Sequence, residues 1–93
     1  MANANDFGLL SPDYSNQGSG SALIKTGYGR LRGVFSSGTG SMKLWDNTEG
    51  SGGVIVNTFD LSASTYYDMA DVSFGTGLYA DIATPADVTF FYF

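Results

Sequence analysis

The chain has 93 residues, of which 43% are hydrophobic, 15% aromatic and only 14% charged; its formal net charge is −5, and it contains neither cysteine nor histidine. One domain of this size buries only about 60–65% of the surface its unfolded form exposes, so its stability alone is marginal, and with disulfides and histidine metal sites closed, oligomerisation or docking is left to supplement it. The usual general base, metal ligand and best nucleophile are missing together, which argues against an enzyme and against a cofactor.

Charge is unevenly placed. All four bases (Lys25, Arg30, Arg32, Lys43) fall between residues 25 and 43, whereas seven acids and no base follow from Leu44 to Phe93. Nucleic-acid affinity comes mainly from clustered Lys and Arg on phosphates, so no nucleic-acid partner is expected. Contact with a basic protein surface fits this balance better.

Residues 1–20 are rich in Asn, Ser and Gly and read as an extended N-terminal arm preceding a domain over 21–93. Such a composition builds no core of its own. Its apolar island Phe7-Gly8-Leu9-Leu10, with Tyr14 behind it, is a candidate anchor for a partner. The alternative is that Phe7, Leu9 and Leu10 fold back on their own domain as a first strand. The start has no basic n-region and no apolar core of signal-peptide length, and no run approaches the ~20 apolar residues of a spanning helix. Neither secretion by that route nor a membrane partner is expected.

From residue 22 onward, short β-branched or aromatic runs alternate with Gly-, Ser- and Asn-rich breaks. This is the signature of an all-β, antiparallel β-sandwich or jelly-roll-like domain. Seven strands are predicted, at 22–26, 29–36, 41–46, 54–61, 65–67, 78–83 and 87–93. Alternation assigns their faces. Leu31 and Phe35 should share one side of their strand, opposite Arg30 and Arg32. Met42 and Leu44 oppose Lys43 and Trp45, and Leu78, Ala80 and Ile82 oppose Tyr79 and Asp81.

Two runs, Val54-Ile55-Val56 and Val88-Thr89-Phe90-Phe91-Tyr92-Phe93, are apolar on both faces, as in strands covered on both sides. Exposed, the second would invite edge-to-edge association. Either it lies centrally in the sandwich or its second face packs on another subunit, which makes Phe91 and Phe93 interface candidates. Arg30 and Arg32, pairing with acids of a neighbour, are candidates with them.

Loop chemistry is sparse. Gly50-Ser51-Gly52-Gly53 has a phosphate loop's composition without the following Gly-Lys-Ser/Thr. Asp46-Asn47-Thr48-Glu49-Gly50 lacks the alternating carboxylates and distal Glu of a calcium loop, and reads as a turn whose Asp and Asn bond their own backbone. Nine acids offer pairs for a glycosidase, yet a chain this short has little material for the cleft. Trp45, Tyr66, Tyr67 and Tyr79 form either a stacking platform for a sugar ring or packing within the core or between subunits.

The ordered motifs Gly33-Val34-Phe35, Lys43-Leu44-Trp45-Asp46-Asn47-Thr48, Val54-Ile55-Val56-Asn57-Thr58-Phe59, Gly77-Leu78-Tyr79 and Ala86-Asp87-Val88-Thr89-Phe90-Phe91-Tyr92 resemble small structural proteins of tailed bacteriophages that decorate or cement the capsid or form head fibres. The resemblance implies a β-sandwich or jelly-roll-like module, often a homotrimer, made in the host cytoplasm and placed on the capsid surface of the virion. Its arm would engage the major capsid protein, with Phe7, Leu9, Leu10 and Tyr14 matching by position and character. A carbohydrate- or receptor-binding module of a fibre or tail, and a tail or baseplate component, are the alternatives.

Overall fold

The computed structural model describes residues 11–93. Eight strands follow in order: β1 (Asp13–Gln17), β2 (Gly20–Thr26), β3 (Gly29–Ser36), β4 (Gly40–Asp46), β5 (Val54–Leu61), β6 (Thr65–Phe74), β7 (Gly77–Ile82) and β8 (Val88–Tyr92). They form two antiparallel four-stranded sheets, β1-β8-β3-β6 and β2-β7-β4-β5. Among these strands only β4 and β5 are joined within one sheet. Every other connection crosses to the opposite layer, which is why the breaks carry so much Gly and Ser.

The two layers close on one apolar core. The first sheet supplies Leu31, Val34, Phe74, Val88 and Phe90, the second Met42, Leu44, Leu61, Leu78, Ala80 and Ile82. Alternation with period two points these residues inward where the ladder is regular, as in Met42 and Leu44, Leu78, Ala80 and Ile82, and Val88 and Phe90. The chain is therefore all-β, a β-sandwich without a helix among the described residues.

Three sequence expectations change. The predicted boundary at residue 20 moves back, because Asp13–Gln17 pair with β8 and Gly20 already opens β2. Polar strand DYSNQ has no alternating apolar pattern of its own and is held by the backbone ladder of β8. The strand predicted at 65–67 runs on to Phe74. And the run Val54-Ile55-Val56 is not covered on both faces: β5 is an edge strand, with Ile55 and Val56 against the core and Val54 49% exposed.

The face assignment of β3 also differs. Its register jumps between Leu31 and Gly33 against both neighbours, so Arg32 is an inserted residue. A bulge of this kind shifts the alternation beyond it. Leu31 and Val34 are both fully buried, while Phe35 faces outward at 36% exposure. Across from Arg32, β6 loops out over Met69–Asp71, and Ala70 and Asp71 take left-handed φ values of 55° and 54°. Asp68 Oδ1 supports that turn by accepting from Ala70 N at 2.8 Å.

Of the two placements open to the C-terminal run, the central one holds. β8 lies between β1 and β3, with Val88 and Phe90 fully buried beneath it. Phe93 extends the pairing, its N–H donating to Arg30 O at 2.8 Å and its carbonyl accepting from Arg30 N at 3.1 Å.

Candidate attachment surface

Register places a second set of side chains on the outside of the first sheet. Tyr14 stands opposite Phe91, Phe91 opposite Gly33, and Phe35 opposite both Thr89 and Tyr66. Residues directly opposite each other share a face. The outer face therefore carries Tyr14, Phe35, Tyr66, Phe91 and Phe93 on four adjacent strands, with Arg30 and Arg32 among them. Tyr14 is 74% and Tyr66 48% exposed. An exposed apolar patch that is contiguous and large is a candidate for contact with a partner.

Gly33 makes the relief of this face. Its missing side chain leaves room for Tyr66, whose hydroxyl and ring lie where a Cβ would sit. Tyr66 and Phe91 face each other at a centroid distance of 6.3 Å and a 54° tilt. Between them opens a shallow groove of about 380 Å³, lined by Pro12, Arg32, Phe35, Tyr66 and Phe91.

Two guanidinium groups frame the far end. The Cζ atoms of Arg30 and Arg32 are 4.7 and 5.0 Å from the Phe93 ring centroid, within cation–π range. Arg32 Nε donates to Asp71 Oδ1 at 2.6 Å, and Nη2 reaches Oδ2 at 3.5 Å. That hydrogen bond holds the Asp71 carboxyl below the usual carboxylate range and raises Arg32 further. Both side chains are solvent-exposed, so the pair orients Arg32 more than it stabilises the fold. Among the described residues this is the one ion pair in direct contact, and the Arg30 charge also favours the Asp71 carboxylate while Asp68 favours the Arg32 cation.

The four interface candidates Phe91, Phe93, Arg30 and Arg32 thus come together on one face. Arm candidates Phe7, Leu9 and Leu10 lie outside the described residues, while Tyr14 belongs to β1 beside Phe91. The proposed sugar platform is not brought together. Trp45 faces out from the second sheet but is only 8% exposed, under the edge of Tyr79 at 5.8 Å, Lys43 Nζ at 5.2 Å and the loop at Gly50. Tyr67 points inward against Phe59, its hydroxyl accepting from Ser62 N at 2.8 Å. Only Tyr66 joins the exposed face. Nor do the four bases share one face, since Lys43 lies on the second sheet and the Lys25 stem lies beside Gly29.

Pro12, Gly33, Phe35 and Asp71 were not legible as surface members. Gly33 carried a usable signal, since glycine inside a strand often marks a bulge. Asp46 also differs from expectation. Asn47 bonds its own turn, but Asp46 accepts from Gly75, Thr76 and Gly77 N across the molecule. Those backbone donors, Gly75 foremost and then Thr76, lower its pKa. Among the described residues no group of three or more His, Cys, Asp or Glu is placed to hold a metal ion. Comparison with family models, curated proteins and solved structures finds no significant match.

Proposed function

We propose that this chain is a structural attachment module of a tailed-bacteriophage particle, a capsid decoration or cement protein that contributes surface rather than catalysis. The observation that carries the reading is the exposed aromatic and arginine face of the β1-β8-β3-β6 sheet, on a domain whose charged fraction is only 14%. Sheet orders β1-β8-β3-β6 and β2-β7-β4-β5 support a jelly roll, the eight-stranded double Greek key of viral capsid and lectin domains. The order of sequence motifs that resembles phage structural proteins is the other support for this reading.

In this reading the partners are the major capsid protein and further copies of the chain, and the N-terminal residues Phe7, Leu9 and Leu10 add apolar anchorage. Several weak contacts acting together then hold subunits against separation. The carbohydrate alternative loses its main support, because Trp45 is covered.

The test is electron microscopy of particles lacking the protein, with and without purified protein added back. Regular density on the head, lost for Phe35→Ser and Phe91→Ser variants that keep their circular dichroism spectrum, is the expected result. Density confined to tail or baseplate moves the module there. No density on any part of the particle overturns the reading.

A further inference from the structure

We infer that the edge of β8 that β1 covers is a strand-acceptor site, and that β1 fills it as a replaceable placeholder. The ligand of the site is an extended peptide strand of a partner protein, antiparallel to β8, with apolar residues at the two positions that Ser15 and Gln17 hold here. Uptake of a strand at this edge is independent of what the outer aromatic face binds.

The occupant seen in the site fits it poorly. β1 is an edge strand whose one neighbour in the sheet is β8, and by register Ser15 lies opposite Phe90 and Gln17 opposite Val88. Residues directly opposite each other share a face. Phe90 and Val88 are fully buried members of the core, so Ser15 and Gln17 are turned toward it as well. Inner faces of a sandwich ordinarily interdigitate apolar side chains, yet here two polar ones stand half-buried, and Gln17 Nε2 donates to Ser15 Oγ at 3.1 Å. Tyr14 apart, β1 is polar on both faces. Pairing of such a strand is weakly specified and open to slippage and exchange.

Little else ties β1 down. None of its five residues is buried, and two residues, Gly18 and Ser19, join it to β2. Asn16 Nδ2 donates to Asp87 Oδ1 at 2.7 Å and to Thr89 Oγ1 at 3.0 Å, and Thr84 Oγ1 bonds Ser19 Oγ at 3.0 Å, all at the exposed surface. Exposed hydrogen bonds exchange for water at little net cost. A segment with few buried apolar contacts and a solvent-exposed ladder opens below the free energy of global unfolding. Opening bares the backbone donors and acceptors of β8 beside Phe90 and Val88. An added strand binds such an edge through its main chain and gains specificity from alternate side chains. Valine where Ser15 and Gln17 stand would bury apolar area that β1 does not offer.

NMR on the full chain tests this. Amide hydrogen exchange should find β1 protected at least ~100-fold less than β3. A peptide of residues 12–18 carrying Ser15→Val and Gln17→Val should bind with a Kd at or below about 1 mM, shift the Val88–Tyr92 resonances and move those of β1 to unfolded positions. The unmodified peptide should bind at least ~10-fold more weakly. Asn16 and Thr89 face each other across the ladder and the chain has no cysteine, so Asn16→Cys/Thr89→Cys places one disulfide between β1 and β8. Its oxidised form should refuse the modified peptide and its reduced form should accept it. β1 amides as protected as those of β3 make β1 a fixed edge cover and overturn the inference. So do β8 resonances unmoved by peptide at about 1 mM, equal binding of the two peptides, or equal binding to the oxidised and reduced forms.

Discussion

Tyr66 stands over Gly33, its hydroxyl and ring occupying the space that a side chain at residue 33 would need. The consequence differs from that of glycines hemmed in by backbone. Tyr66 is half-exposed and its ring can swing outward, so Gly33→Ala should cost at most about 1 kcal/mol in chemical denaturation. It should still rearrange the groove, seen as loss of NMR contacts between Tyr66 and Phe91. Gly40 is the counter-example: a Cβ there would sit 2.5 Å from Ala83 O and 2.9 Å from the Ala86 Cβ. Neither can retreat alone, and Gly40→Ala should cost about 1–3 kcal/mol.

Neighbouring phenylalanines on β8 separate the core from the outer face. Phe90 is fully buried, and Phe90→Ala should remove about 3–5 kcal/mol, a large share of the about 5–15 kcal/mol that holds a small domain together. Phe91 is half-covered by Tyr66, so Phe91→Ala should cost about 1 kcal/mol. Urea titrations followed by Trp45 fluorescence report both. Equal losses would contradict the placement of the two side chains on opposite sides of the sheet.

Ala70 holds a φ of 55° in the β6 loop-out opposite Arg32. An L-residue with a Cβ is strained there and glycine is not. Ala70→Gly should therefore stabilise the domain by about 0.5 kcal/mol, after the greater freedom of glycine in the unfolded chain is subtracted. A raised melting temperature in calorimetry is the expected readout.

Asp46 ties the start of the β4–β5 loop to the β6–β7 turn through three backbone N–H groups. Its folded pKa lies below its unfolded value, near 3.9 for an ordinary aspartate. The stabilisation it gives is thus fully present above that unfolded value and fades as pH falls through the lower folded one. Asp71, held down by Arg32, acts in the same direction. Asp46→Asn should cost about 1 kcal/mol at pH 7, and the difference from the parent should shrink toward pH 2 in denaturant melts.

Much of the fold was legible in the sequence because strand spacing and inward alternation are local signals. The strands 29–36 and 54–61 match β3 and β5 at both ends. What escaped depended on partners distant in the chain. β1 has no apolar pattern and exists because β8, more than seventy positions later, offers it a backbone ladder. The outward turn of Phe35 follows from an inserted Arg32, which strict alternation from Leu31 cannot foresee. That Phe91, Phe93, Arg30 and Arg32 lie on one face could be anticipated because double-sided apolarity and paired cations are visible in sequence, whereas the covering of Trp45 required the fold of the loop above it.

The central place of β8 in its sheet also sets an order of events during synthesis. Of the eight strands it is made last, yet β1 and β3 both pair with it. A chain emerging from the ribosome can assemble the β2-β7-β4-β5 layer while β1 waits with its principal neighbour missing, and Leu31 and Val34 lack Phe90 to pack against. Pairings that span nearly the whole chain are slow to form and leave apolar surface open meanwhile. The nascent protein is thus most vulnerable to misassociation just before its final strand arrives, and that strand closes the domain in a single late step.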